Sequence, residues 1–305
     1  MGITISLPTF PGSDSELTDE SLVHPLRRLR LLPLAAIGLL FLAFPFVARW
    51  VHLPIPRSGA AFLIVASLIT YGALLAWLAV ALPRAGMSWR RLFGGPLKPG
   101  RLFEVIALAW MHVSFAANSL ILLLVGLYHV APELTRRLLV ERVLSDPWGG
   151  APTPALAAVI VVLAPVVEEI LFRGLLLQRF ALRWGPGRAV LFTSALFAVL
   201  HPYHPLGLFA FSVLLSLLFL KARTLWAPIA AHALANGSLV LIGALAKSRN
   251  PDAAAGPNVG MLLTATNMAL IGFAFVGGIV LTYAIRRWPK RESGIPYDDG
   301  AVLET

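Results

Sequence analysis

The chain has 305 residues, of which 58% are hydrophobic and 13% are charged, whereas about a quarter of the residues of a soluble domain are charged. This composition and a mean hydropathy of +0.79 exclude an ordinary soluble domain and indicate an integral membrane protein. The formal net charge of +10 does not indicate a nucleic-acid partner, because the basic residues stand singly or in pairs at the ends of apolar segments. The absence of cysteine excludes disulfides, thiolate catalysis and cysteine-ligated zinc.

Four regions follow one another along the chain. Residues 1–28 are polar and lack the basic-then-apolar start of a signal peptide, so we expect a cytoplasmic tail. Residues 29–153 carry apolar segments joined by basic loops, and residues 154–246 carry apolar segments that contain the polar motifs. Residues 247–305 hold a last apolar segment and a second cytoplasmic tail.

Eight segments meet or approach the length of about 20 mostly apolar residues that a spanning helix needs. They are Leu31–Val47, Gly59–Leu82, Phe103–Val130, Pro154–Gln178, Ala189–Leu200, Leu206–Leu220, Leu225–Ala246 and Met261–Ile285. A turn with two prolines at 201–205 separates the short fifth and sixth segments, since prolines so close end one helix and prevent an immediate restart. The sequence predicts an all-α, polytopic membrane protein with about eight transmembrane helices around a buried polar cavity.

The distribution of basic residues predicts the orientation. The connections on the side that holds both termini carry more than twice as many Lys and Arg residues as those on the other side. Cytoplasmic loops carry such an excess, so both termini should be cytoplasmic. Richness in Ala, Gly, Pro and Arg suggests a bacterial source, and hence the inner membrane.

Three motifs place ionisable and polar side chains within apolar segments: Glu168–Arg173, Phe197–His201 and His232–Asn236. Charge at membrane depth costs several kcal/mol on most estimates, so such residues usually mark a function. At a rise of about 1.5 Å per residue, the motifs lie roughly 14 to 20 Å from the basic residues that mark the cytoplasmic boundary. All three therefore fall near the middle of a hydrocarbon core about 30 Å thick. This common depth favours one shared site.

The first motif separates two neighbouring carboxylates. Glu169 and Arg173 stand four residues apart on one helix face, so they are expected to pair. Glu168 is rotated by about 100° from Glu169 and needs a partner of its own. A histidine from another span is the candidate. Taken alone, a Glu–Arg pair in a membrane protein is as often structural as functional.

The other two motifs follow the same spacing. His232 and Asn236 point the same way from their helix, and the ring of Phe197 can separate His201 from lipid. Pro165 should kink the fourth span and free a backbone carbonyl close to the site.

The motifs Glu-Glu-x-x-x-Arg, Phe-x-x-x-His and His-x-x-x-Asn, in this order, resemble those of the CAAX prenyl protease and bacteriocin-processing (CPBP, or Abi) family of intramembrane proteases. All three are complete between Glu168 and Asn236, and Gly174 follows Arg173 as is usual there. The first 150 residues carry no motif that matches.

The resemblance implies an intramembrane endopeptidase and a role for each polar residue. Glu168 and His201 are implied to activate a water molecule, while His232 and Asn236 are implied to stabilise the tetrahedral oxyanion. Donors aimed at a developing oxyanion typically contribute a factor of about 100 to 1000 each. The supporting residues are Glu169, Arg173 and Phe197. The implied partners are the lipid bilayer and a membrane-associated peptide or protein substrate.

A zinc mechanism is the alternative within the same family, with Glu168, His201 and His232 as ligands. We prefer a mechanism without a metal cofactor, because no His-Glu-x-x-His motif is present and the ligands would come from three separate helices.

Two further classes of function compete with a protease. Polar residues at mid-membrane depth also suit a carrier, although a carrier should show two related halves and the first half contains no counterpart of the motifs. The other class is an immunity or scaffold member of the same family, against which the intact candidate catalytic residues argue.

Overall fold

The computed structural model describes residues 25–30, 32–50, 59–133, 153–201, 205–249 and 259–290. Within these ranges the regular elements are helices, without a strand, and an isolated β-bridge joins Gly94 to Thr224. Residues 1–24 and 291–305, which make up most of the two predicted tails, lie outside the described part.

Each of the eight predicted apolar segments corresponds to a described helix. The predicted ends and the observed helix ends agree to within two turns. They are α1 (Pro25–Arg28), α2 (Leu32–Trp50), α3 (Gly59–Arg84), α4 (Trp89–Phe93), α5 (Leu102–Val130), α6 (Pro154–Trp184), α7 (Pro186–Val199), α8 (Pro205–Ala222), α9 (Trp226–Arg249) and α10 (Val259–Arg287). A 3₁₀ turn at Pro99–Arg101 precedes α5.

Four described stretches are long and apolar enough to cross a membrane: α3, α6, Pro99–Ser119 of α5 with its 3₁₀ turn, and Asn267–Arg287 of α10. Helices α7, α8 and α9 contribute shorter apolar stretches. The helical membrane class expected from composition is therefore confirmed, while eight spans stay a prediction.

Helix α6 is central to the bundle, and it packs against α3, α7, α8 and α9. Every side chain from Phe172 to Gln178 is buried, including the guanidinium of Arg173. Around it, α8 contributes a run of buried residues from Phe211 to Phe219. A helix that is apolar on nearly all sides is typical of a core or membrane position, and the polar groups of Glu169 and Arg173 on α6 are fully buried within the protein.

Two segments of α6, Val159–Leu163 and Ile170–Leu177, are wound as π-helix. In the first, the N–H of Ala164 donates to the carbonyl of Val159, five residues earlier. The next donor in that register would be Pro165, whose nitrogen carries no hydrogen. The carbonyl of Ile160 is thereby left for a partner outside the helix, as the sequence predicted for this proline. π-Helical turns of this kind are frequent at functional sites.

A short strap fixes the loop before α5 to the turn before α9. The Thr224 hydroxyl lies 3.0 Å from the carbonyl oxygen of Phe93 and 2.5 Å from that of Gly95. Gly94 has φ +73°, and a Cβ there would lie 2.6 Å from the carbonyl oxygen of Arg223. Only glycine fits so close an approach in this conformation.

A carboxylate also joins three helices near the start of α5. Glu104 of α5 accepts hydrogen bonds from Lys221 of α8 at 2.6 Å and from Tyr283 of α10 at 2.7 Å. Arg101 adds a third contact at 3.3 Å. This cluster, called the Glu104 tie below, holds α5, α8 and α10 together.

Candidate active site

The predicted pair of Glu169 and Arg173 is present at the centre of the bundle. Arg173 Nη1 lies 2.8 Å from Glu169 Oε1, and both side chains are fully buried. Arg173 Nη2 donates to the carbonyl oxygen and the hydroxyl of Ser212 on α8, at 2.9 and 2.8 Å. The guanidinium therefore neutralises the carboxylate and fixes α6 against α8.

His232 of α9 joins the same carboxylate. Its Nδ1 lies 2.8 Å from Glu169 Oε1, and its Nε2 lies 3.9 Å from Glu168 Oε2. The sequence predicted a histidine partner for Glu168, but the short hydrogen bond goes to Glu169. Because a carboxylate accepts, Nδ1 carries the hydrogen and Nε2 faces Glu168.

Glu168 is held from a part of the chain where the sequence indicated no site residue. The hydroxyl of Tyr71, on α3, donates to Glu168 Oε1 at 2.8 Å. The only signal for this residue was a single phenol within the mostly apolar segment Gly59–Arg84. Its pairing with Glu168, 97 residues later, depends on how α3 packs against α6.

Phe197 and His201 share a face of α7, as their spacing predicted. Their rings stack with centroids 4.5 Å apart, and His201 Nδ1 lies 2.8 Å from the carbonyl oxygen of Phe197. The Phe197 ring also meets His232 edge-on at 6.0 Å and lies 5.4 Å from the guanidinium carbon of Arg173. Phe197 thus bridges the histidine of α7 to the buried cluster.

Glu168 and His201 form no direct hydrogen bond or ion pair with each other in the described part of the chain. The resemblance implies that the two residues act on one water molecule, and that role stays a prediction.

Asn236 lies one turn beyond His232 on α9. Its Nδ2 donates to the carbonyl oxygen of Ile160 at 2.9 Å, the carbonyl that Pro165 leaves without a partner in α6. Because a carbonyl only accepts, the bonded atom must be the amide nitrogen, and its second N–H is not used by this bond. The sequence did not predict the backbone group that holds Asn236.

Two buried polar atoms of the cluster, Glu169 Oε2 and Arg173 Nε, have no hydrogen-bond partner within the described residues. Buried polar atoms are rarely left in this way, and each case needs a physical explanation. No group of three or more His, Cys, Asp or Glu side chains in the described ranges is arranged to hold a metal ion.

The fold and these contacts define a helical membrane protein whose centre holds two carboxylates, an arginine and a histidine from different helices. A family model described as type II CAAX prenyl endopeptidase Rce1-like matches residues 150–238, which include all three motifs. That segment, less than a third of the chain, is similar to this family of CAAX-type proteases, which confirms the resemblance based on the motifs. Comparison with curated proteins and with solved structures gives no significant match.

Proposed function

We propose that the protein is an intramembrane endopeptidase that hydrolyses a peptide bond of a membrane-associated protein or peptide, without a metal cofactor. The observation that carries the proposal is the unequal use of two adjacent carboxylates. Glu169 binds both Arg173 and His232 and therefore serves charge balance and orientation. Glu168 accepts one hydrogen bond from Tyr71, and its second oxygen, 3.9 Å from His232 Nε2, can take up a proton.

In this proposal Glu168 and His201 activate water. His201 donates its Nδ1 hydrogen to a carbonyl, so Nε2 of the neutral ring keeps a lone pair that can accept a hydrogen bond from water. The water oxygen attacks the carbonyl carbon while its proton passes to Glu168. The carbonyl π electrons move to oxygen, which becomes the oxyanion. Collapse of this intermediate breaks the C–N bond, and the leaving nitrogen takes the proton from Glu168.

His232 and Asn236 would stabilise the oxyanion. Asn236 has a second amide N–H, and the bond to Ile160 fixes the direction of the group. His232 can donate from Nε2 once that atom is protonated, and the neighbouring Glu169 carboxylate offsets the added charge. Donors already fixed in place need no reorganisation as the charge develops, which is the basis of oxyanion stabilisation.

The zinc alternative would take Glu168, His201 and His232 as ligands. Within the described residues, no group of three or more His, Cys, Asp or Glu side chains is arranged to hold a metal ion. We derive no step through zinc, and a chelation experiment decides the question.

We further propose eight spans with both termini in the cytoplasm of a bacterial cell. A reporter at the C-terminus should then report the cytoplasm, and one inserted at 146–153 should report the opposite side. Reporters that agree with each other would show that this topology is wrong.

The function is tested by comparing membrane proteomes of cells that express the wild type, Glu168→Gln or Glu104→Gln. We expect cleavage products in cells with the wild type and with Glu104→Gln, because Glu104 belongs to a structural tie, and none with Glu168→Gln. Identical products in all three would contradict the proposal.

A further inference from the structure

Three arginines converge on a concave pocket at the C-terminal end of α6, away from the candidate active site. The pocket has a volume of about 540 Å³, within the range of ligand-binding pockets. Its lining residues are Arg27, Arg179, Phe180, Leu182 and Arg183.

Two of these guanidiniums form a reciprocal clamp between the N-terminal segment and α6. Arg179 Nη1 donates to the carbonyl oxygen of Leu26 at 2.8 Å, and Arg27 Nη2 donates to that of Leu182 at 3.2 Å. These bonds hold the positively charged groups toward one pocket instead of letting them spread into solvent. Each guanidinium has five N–H donors, so most donors remain for a ligand.

Among the described residues, no carboxylate balances the charge of this pocket. Within the described residues, no carboxylate pairs with Arg27, Arg179 or Arg183, whereas Arg27 and Arg183 both lie close enough to Arg179 to repel it. Holding like charges together in a pocket is unfavourable unless an anion joins them. Arg173 and Arg101, in contrast, each have a carboxylate partner.

The rest of the pocket points to an amphiphile. Phe180 and Leu182 give it an apolar wall, and Trp184 stacks on Phe180 at 4.8 Å between rings. Trp184 is partly exposed at the end of α6, a stretch long and apolar enough to cross a membrane. Tryptophan at the end of a span typically lies at the level of lipid headgroups.

We propose that this pocket binds the phosphate of an anionic lipid headgroup. Arginine matches phosphate geometry with paired N–H donors, and basic pockets between transmembrane helices bind anionic headgroups. The proposal uses none of the candidate catalytic residues, so it stands or falls independently of the protease assignment.

The test is native mass spectrometry of the full-length protein in detergent micelles with added phosphatidylglycerol or phosphatidylcholine of the same acyl chains. We expect the wild type to retain phosphatidylglycerol in preference to phosphatidylcholine. Arg183→Gln should weaken phosphatidylglycerol binding about 5-fold, and Arg27→Gln with Arg183→Gln about 30-fold, in line with about 1 kcal/mol per basic residue at a membrane surface.

Arg188→Gln is the matched control, since it removes one exposed positive charge near the same end of α6 without lining the pocket. It should leave lipid binding unchanged. The double variant also removes the clamp bond of Arg27 and could fail to fold for that reason. In that case the single variant Arg183→Gln decides the test. Equal retention of the two lipids, or equal loss in Arg188→Gln and Arg183→Gln, would overturn the proposal.

A further arm adds excess inorganic phosphate to the wild type loaded with phosphatidylglycerol. Retention of the lipid supports a headgroup site. If inorganic phosphate displaces the lipid from the wild type, and Arg183→Gln abolishes this competition, the pocket is a phosphate site whose ligand is a soluble anion. That outcome would overturn the assignment to a lipid headgroup.

Discussion

Glu104 and Glu169 each connect different helices, but they do so in different surroundings. The Glu104 side chain is 17% exposed, and both of its oxygens accept hydrogen bonds, from three donors in all. Glu169 is fully buried, and both of its donors, Arg173 and His232, bind the same oxygen. Its second oxygen has no partner among the described residues.

We interpret this difference as one between a structural tie and the proposed active site. Leaving a buried polar atom unpaired costs about 1–3 kcal/mol, so a cluster that served stability alone would be expected to pair it. At the Glu104 tie both carboxylate oxygens are used, whereas Glu169 Oε2 and Arg173 Nε have no hydrogen-bond partner among the described residues. We take the incomplete pairing of this charged cluster as support for the proposed active site, while the buried Gln178 Oε1 and Ser194 Oγ also have no partner among the described residues.

The largest expected effect separates the two carboxylates by activity. Glu168→Gln should reduce proteolysis by about 10²- to 10⁴-fold, because the amide cannot accept the proton of the attacking water. Glu104→Gln removes the same charge from the other cluster and should keep near wild-type activity. The measurement is the cleavage rate of purified protein on a substrate found in the proteome comparison.

Both variants should express as well as the wild type and elute as single species from a size-exclusion column. Equal activity of Glu168→Gln and the wild type would remove Glu168 from the catalytic assignment.

The second effect separates the clusters by stability. Arg173→Met leaves the buried Glu169 carboxylate without its cation and should destabilise the protein by about 3–5 kcal/mol. Lys221→Met breaks a partly exposed pair of the Glu104 tie and should cost about 1 kcal/mol or less. Unfolding in detergent, followed by the loss of helical circular dichroism, measures both changes. Similar losses of stability in the two variants would show that the two ion pairs contribute equally to the stability of the fold.

The third effect concerns Asn236. As an oxyanion donor it should contribute a factor of about 10² to 10³ in kcat, so Asn236→Ala should lose that much activity with little change in KM. Loss of the hydrogen bond to Ile160 should also destabilise α6 locally. The helical content of the variant is therefore measured together with its cleavage rate. A variant that raises KM while preserving kcat would assign Asn236 to substrate binding.

The same variant tests the metal alternative. Without a metal cofactor, wild-type protein should keep cleaving after prolonged chelation, and added zinc should not rescue Asn236→Ala. If Asn236 instead orients a zinc ligand, its loss should weaken metal affinity by about 10- to 100-fold and excess zinc should restore the rate. Zinc that co-purifies at one per chain, with activity lost on chelation, would replace the preferred mechanism.

The parts of this site that the sequence predicted are local along the chain. The helices follow from apolar length, and the Glu169–Arg173 and Phe197–His201 pairs follow from a spacing of four residues. The resemblance to CAAX-type proteases follows from three such local motifs.

The contacts that the sequence did not predict join residues far apart. Ser212 on Arg173, His232 on Glu169 and Tyr71 on Glu168 span 39, 63 and 97 positions. These pairings depend on which helix faces pack together. In helices that are apolar on most sides, hydrophobic periodicity does not show which face packs against which neighbour.

The smallest expected effect uses one of those contacts. Tyr71 and Tyr283 each donate a hydroxyl to a glutamate, Tyr71 to Glu168 and Tyr283 to Glu104. Tyr71→Phe should lower kcat about 10-fold, since it removes one hydrogen bond to a charged group, worth about 1.5 kcal/mol at the low end of such bonds. KM should stay near the wild-type value, because Tyr71 acts on Glu168 as a positioning residue and is not assigned a contact with substrate.

Tyr283→Phe makes the same chemical change at the Glu104 tie and should lower stability slightly without changing kcat. An equal loss of kcat in both variants would mean that the Tyr71 bond only supports the fold. An unchanged kcat in Tyr71→Phe would mean that Glu168 holds its position without help from α3.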